Sequence, residues 1–161
     1  MQLQVLLLSW WPAMAAYLLL FTTLLGKRGT LLQVLGLGLV LALADGVVAA
    51  LVKQAGLPYG LHIPVSLALM ALGGSIVWRR IWFSLVVAIL SYLTMIVIDI
   101  FTGILVVKIL NQQNFLQKAL NDWRLMILVG QLQMIPVYLA AWWTGRRRIV
   151  WFDLYQRRIR G

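Results

Sequence analysis

The chain has 161 residues, of which 63% are hydrophobic and 11% charged, and its formal net charge is +10. A soluble domain is nearer half apolar and a quarter charged, so a soluble globule is excluded. With no Cys, no Glu and one His, thiolate chemistry and disulfides are excluded, and the ligands for a protein-built zinc or di-metal site are too few.

In chain order, residues 1 to 26 carry no charge. The apolar stretch from Val5 to Leu25 is long enough to cross roughly 30 Å of hydrocarbon at 1.5 Å per residue. It has no basic n-region, and Ala13, Ala15 and Ala16 lie inside the apolar run, so an uncleaved first span is expected. Lys27 and Arg28 close it, and Leu31 to Val52 makes a second span interrupted only by Asp45. Gly56, Pro58 and Gly60 punctuate a turn. A third helix is expected from about Leu61 to Trp78, with Pro64 in its first turn and Arg79 and Arg80 at its end. The fourth runs from Trp82 to about Val106 with Asp99 inside it. After a polar connection from Lys108 to Asp122, the fifth spans about Arg124 to Trp143, with a kink expected at Pro136.

The expected fold class is therefore all-α: a polytopic membrane bundle of five transmembrane helices over residues 1-145, then a basic aromatic tail over 146-161. With the amino terminus outside, ten basic residues fall in cytoplasmic segments: Lys27, Arg28, Arg79, Arg80, Arg146, Arg147, Arg148, Arg157, Arg158 and Arg160. Lys53, Lys108, Lys118 and Arg124 stay outside. The positive-inside rule then chooses N-out, C-in. The basic excess is read as topology, not nucleic-acid binding, because almost no aqueous mass remains to build a basic face.

Asp45 and Asp99 are costly inside a bilayer unless neutralised, paired or hydrated. Counted from the cytoplasmic ends of their helices they sit roughly 20 Å and 26 Å up, in the outer half. His62 begins the third helix at the same side, and Gln131 lies about two turns into the fifth. On the fourth helix Ser84, Ala88, Ser91, Met95, Asp99 and Thr102 form a small and polar stripe. Gly38, Ala42, Asp45 and Ala49 form a seam on the second, and Ile127, Gln131, Met134 and Tyr138 share a face of the fifth. Packed together, these faces could leave an outward pocket lined by Asp45, His62, Asp99 and Gln131, able to bind a ligand or respond to protons through an Asp99–His62 pair. The competing reading is helix glue, with each Asp satisfied by neighbouring hydroxyls, amides or water.

In Asn111 to Trp123, the residues Phe115, Leu116, Leu120 and Trp123 fall on one helical side, which fits either an interfacial helix or an anchored loop. The tail interleaves Arg146, Arg147, Arg148, Trp151, Arg157 and Arg158 with aromatic side chains. It should contact anionic lipid headgroups, the membrane partner expected for this chain. The eight Trp mostly flank predicted helix ends, as in an aromatic belt; Trp10 and Trp11 fit that pattern least well.

No cofactor or catalysis is expected. Asp45-Gly46-Val47-Val48-Ala49 matches the opening of the CDP-alcohol phosphotransferase signature, but Ala50 stands where Arg is needed and the later Gly and Asp residues are missing. The two membrane Asp lack the sequence context of presenilin-type proteases. Gly73-Gly74-Ser75 and His62 lie on one helix and make no rhomboid-like dyad, and no phosphate-binding glycine loop occurs.

Two stretches, Leu57-Pro-Tyr-Gly-Leu-His62 and Asn121-Asp-Trp-Arg-Leu-Met-Ile-Leu-Val-Gly130, resemble pieces of small Firmicutes membrane proteins and of the membrane sensor regions preceding GHKL-type histidine kinases. The resemblance implies a stand-alone sensor or regulatory module of a bacterial cytoplasmic membrane, working with a cytoplasmic partner; the small-residue seams would also let the bundle form a homo-oligomer. The stretch from Gly36 through Asp45 and Gly60 to Gly74 resembles the rod-shape protein MreD and the substrate-binding subunits of energy-coupling-factor transporters. This second resemblance implies a scaffold or a small-molecule-binding transporter subunit, and six helices instead of five.

Overall fold

The computed structural model describes residues 3–27, 29–57, 62–110, 122–147 and 149–151. The described residues form helices and connecting turns, with no strand among them. The first helix, α1, joins Leu3–Val5, a π-helical turn Leu6–Trp10 and Trp11–Leu24. It is followed by α2 (Leu31–Gln54), α3 (His62–Trp78), α4 (Ile81–Leu110) and α5 (Trp123–Arg147). Four helices are long and apolar enough to cross a membrane, and α3 is a shorter apolar helix. The expected interfacial segment at 111–121 lies outside the described residues, as do Arg148, Arg157 and Arg158.

Local chemistry sets several boundaries. Thr30 caps α2 through a capping box: its hydroxyl accepts from the Gln33 amide at 3.3 Å, and Gln33 Oε1 accepts from the Thr30 amide at 3.1 Å. Thr-x-x-Gln ahead of an apolar run is the sequence signal for that start. α1 ends in a Schellman motif, with Lys27 N–H donating to Thr22 and Gly26 N–H to Thr23. Gly26 takes φ 88°, a left-handed value that a side chain resists. The last helix runs one turn beyond the expected Trp143, through Pro136 and on to Arg147, so Arg146 and Arg147 are helical residues.

The π turn in α1 has a cause in the sequence. Pro12 has no N–H, and its ring excludes the carbonyl four residues earlier from normal α-helical bonding. The helix widens there, with Trp11 N–H reaching back to the Leu6 carbonyl. The Leu8 carbonyl, four residues before Pro12, is taken up instead by Gln131 Nε2 of α5. One proline thus ties the first helix to the last.

α1 is the centre of the bundle. It packs on α2, α5 and, less extensively, α4; α2 continues to α3 and α3 to α4, whereas α5 touches α4 only slightly. At the α1–α2 crossing a Cβ on Gly38 would stand 3.0 Å from the Ala15 backbone nitrogen, so the two helices meet backbone to backbone. Trp11 Nε1–H donates to the Leu35 carbonyl at 2.9 Å. That bond gives Trp11, a poor fit to an aromatic belt, a role in helix packing. The core holds Leu18, Val34, Val87 and Ala88, with Trp78 edge-on to Phe83 at 5.5 Å.

Five of the described basic residues collect at one end. Trp151 N–H donates to the Leu24 carbonyl, joining the end of α5 to the end of α1. Trp78, beside Arg79 and Arg80, lies against the Gly29 turn that follows Lys27. Lys27, Arg79, Arg80, Arg146 and Arg147 therefore share the end opposite Lys53 and Arg124.

Candidate functional site

Among the described residues, Asp45 is the acidic one most deeply engaged between helices. It sits on α2 about 20 Å from Leu31, at 1.5 Å per residue, and is half-buried. Ser66 Oγ of α3 donates to Asp45 Oδ1. Tyr92 of α4 lines the same small space beside Ser66 and Asp45. Met14, Leu41 and Met70 wall the cluster, which leaves about 10 Å³ of free space. That is room for a single water. The result is a three-helix clasp in which Ser66 holds Asp45 and Tyr92 closes the space beside them.

Ser66 and Tyr92 were not among the expected site residues. Ser66 lies four residues beyond His62 and therefore on the same face of α3, and Tyr92 follows Ser91 of the polar stripe. Those spacings were the available signals, but the pairing itself needed the rotation of α3 and α4 about their axes.

Of the four residues expected to line one pocket, Asp45, Asp99 and Gln131 have different neighbours. His62 is buried at the start of α3, one turn from Ser66. Asp99 lies about 10 Å beyond Tyr92 along α4, at 1.5 Å per residue, and is exposed on the flank where α4 and α5 barely touch. It is close enough to Tyr17 of α1 to act on it electrostatically. Gln131 belongs to the α1–α5 seam: its Nε2 donates to Leu8, and Tyr138 Oη donates to Gln131 Oε1 at 3.0 Å. Ser9, in the π turn, faces Gly130 across the same seam.

The stripe expected on α4 is buried in its first half, at Ser84, Ala88 and Ser91, and emerges from the bundle by Asp99. Two polar atoms inside the bundle, Trp78 Nε1 and Ser91 Oγ, have no hydrogen-bond partner among the described residues.

A second polar region lies at the basic end of α5. The Arg146 guanidinium stacks over Trp142 at 5.3 Å, and that of Arg147 over Trp143 at 5.8 Å. These four side chains line an open cavity of about 480 Å³. Trp151 is exposed nearby, its backbone held by Leu24. No family model, curated protein or solved structure matches this chain.

Proposed function

We propose that this chain is a non-enzymatic, five-span module of the bacterial cytoplasmic membrane, N-out and C-in, acting as a sensor or regulatory module. The observation that carries the reading is the Asp45 clasp. A carboxylate at that depth costs several kcal/mol unless neighbours satisfy it; here Ser66 of α3 bonds it and Tyr92 of α4 lines the same space. Any change in charge or occupancy at Asp45 alters the packing of α2, α3 and α4 together. Rigid helices carry such a change to their other ends, which lie beside Lys27, Arg79 and Arg80. The resemblance of the Leu57 to His62 stretch to membrane sensor regions supports the same reading.

The free space beside Asp45 favours regulation over capture of an organic molecule. Pockets for such ligands measure roughly 300 Å³ or more, against about 10 Å³ here.

The test uses the absence of Cys from the chain. Leu32 and Ile76 are 84% and 80% exposed at the basic ends of α2 and α3, so Leu32→Cys and Ile76→Cys accept spin labels without disturbing the core. The label-to-label distance is measured in lipid nanodiscs with Asp45 intact, with Asp45→Asn and with Asp45→Ala. The expected result is a shift of several ångströms in both variants, about the scale of known interface helix movements or larger. Three superimposable distance distributions would overturn the proposal. Asp45→Asn keeps the side-chain volume and preserves the test if the alanine variant fails to assemble.

A further inference from the structure

We infer that the basic end of α5 is a built site for one anionic phospholipid, its phosphate held by Arg146 and Arg147 and its acyl chains lying along the outer face of α5. This site is separate from Asp45 and does not depend on how that residue works.

The argument starts from the spacing Trp142-Trp143-x-x-Arg146-Arg147. On a helix, residues four apart are neighbours, so two Trp–Arg columns form side by side. Each guanidinium is stacked on an indole face, at 5.3 Å and 5.8 Å. Stacking holds a guanidinium by its face and leaves its in-plane N–H edge available to a phosphate oxygen pair. Two such edges beside one cavity can share one phosphate.

The cavity they line, about 480 Å³, falls within the range that admits a polar headgroup of a few hundred cubic ångströms. Trp142 and Trp143 are 58% and 56% exposed, so the indoles are presented outward and not consumed by the core.

The apolar approach to this cavity identifies the ligand as a lipid. Leu132, Ile135 and Leu139 are exposed on α5, and with Trp142 and Arg146 they follow the 3-4-3-4 spacing of one helix face. That face is an apolar lane ending at two cations. A free phosphate would use the cations and leave the lane empty; a phospholipid with net negative charge uses both. A zwitterionic lipid brings its own cation toward the two guanidinium groups and is disfavoured.

The full chain is titrated in detergent with phosphatidylglycerol and with phosphatidylcholine of the same acyl composition, and bound lipid is counted by native mass spectrometry. The expected result is one saturable phosphatidylglycerol, bound about tenfold more tightly than phosphatidylcholine, the factor set by one added charge-assisted contact. Arg146→Gln with Arg147→Gln abolishes that preference, and Trp142→Leu with Trp143→Leu weakens it several-fold while keeping the lane apolar. Arg79→Gln with Arg80→Gln removes the same charge from the same end and leaves the affinity within about twofold. Equal weakening by the Arg79 and Arg80 pair would reduce the effect to general surface charge and overturn the inference. Displacement of the lipid by millimolar inorganic phosphate would make this a phosphate site and overturn it too. All four substituted α5 positions are exposed, and circular dichroism of each variant checks that the bundle is retained.

Discussion

Asp45 and Ser66 stand 21 positions apart in the chain, and the carboxylate accepts a hydrogen bond that its own helix does not supply. The strength of that contact is measurable. Intramembrane hydrogen bonds contribute about 0.6 kcal/mol on average and at most about 1.7, and one to a carboxylate belongs in the upper part of that range. Ser66→Ala is expected to destabilise the bundle by about 1–1.7 kcal/mol in reversible denaturation. In the Asp45→Asn background the same change costs less, and a double-mutant cycle reads the difference. Strict additivity would show that Ser66 and Asp45 do not interact.

Two glycines of α2 make a contrasting pair at the same scale. Gly38 faces the Ala15 backbone, which no rotamer change can move away, so Gly38→Ala should cost about 1–3 kcal/mol. A Cβ on Gly36 would meet nothing within 4 Å, so Gly36→Ala gains helix propensity and stabilises by about 0.5–1 kcal/mol. The same denaturation measurement checks both. Only the Gly38 result reports helix packing, in keeping with its place in the small-residue seam Gly38, Ala42, Asp45 and Ala49.

Among the elements, the joint between α1 and α5 depends most visibly on one residue. Pro12 releases the Leu8 carbonyl, Gln131 takes it, and the π turn sets Ser9 against Gly130. A Cβ at Gly130 lies 3.8 Å from Ser9 Cβ, within the usual disulfide span of about 3.5–4.5 Å. Ser9→Cys with Gly130→Cys should therefore cross-link efficiently under mild oxidation. Adding Pro12→Ala restores an N–H that competes with Gln131 for Leu8, returns the turn to α-helical register and rotates the preceding residues by about one position. Cross-linking should then fall several-fold, read by gel shift after proteolysis between the two sites. Cross-linking unchanged by Pro12→Ala would detach the π turn from the proline. Helix α5 was legible from its apolar run, but this joint was not: a proline and a glutamine more than a hundred residues apart give no periodic signal.

For the whole molecule, the clustering of Lys27, Arg79, Arg80, Arg146 and Arg147 at one end makes topology testable. Single cysteines at Lys27 and Arg80 should resist a membrane-impermeant maleimide in intact cells and react after permeabilisation, whereas Lys53→Cys should react at once. The reverse pattern would invert the proposed orientation. The sequence by itself determined the helical class, the approximate helix limits and the separation of basic from neutral segments. Hydrophobicity, caps and charge are written residue by residue along one dimension. Only the tertiary structure decided which hydroxyl holds Asp45, that Gln131 serves the Leu8 carbonyl, and that Asp99 lies on an open flank. Those outcomes depend on how each helix is rotated and shifted against its neighbours, and backbone contacts such as Gly38 with Ala15 fix that register across the bundle.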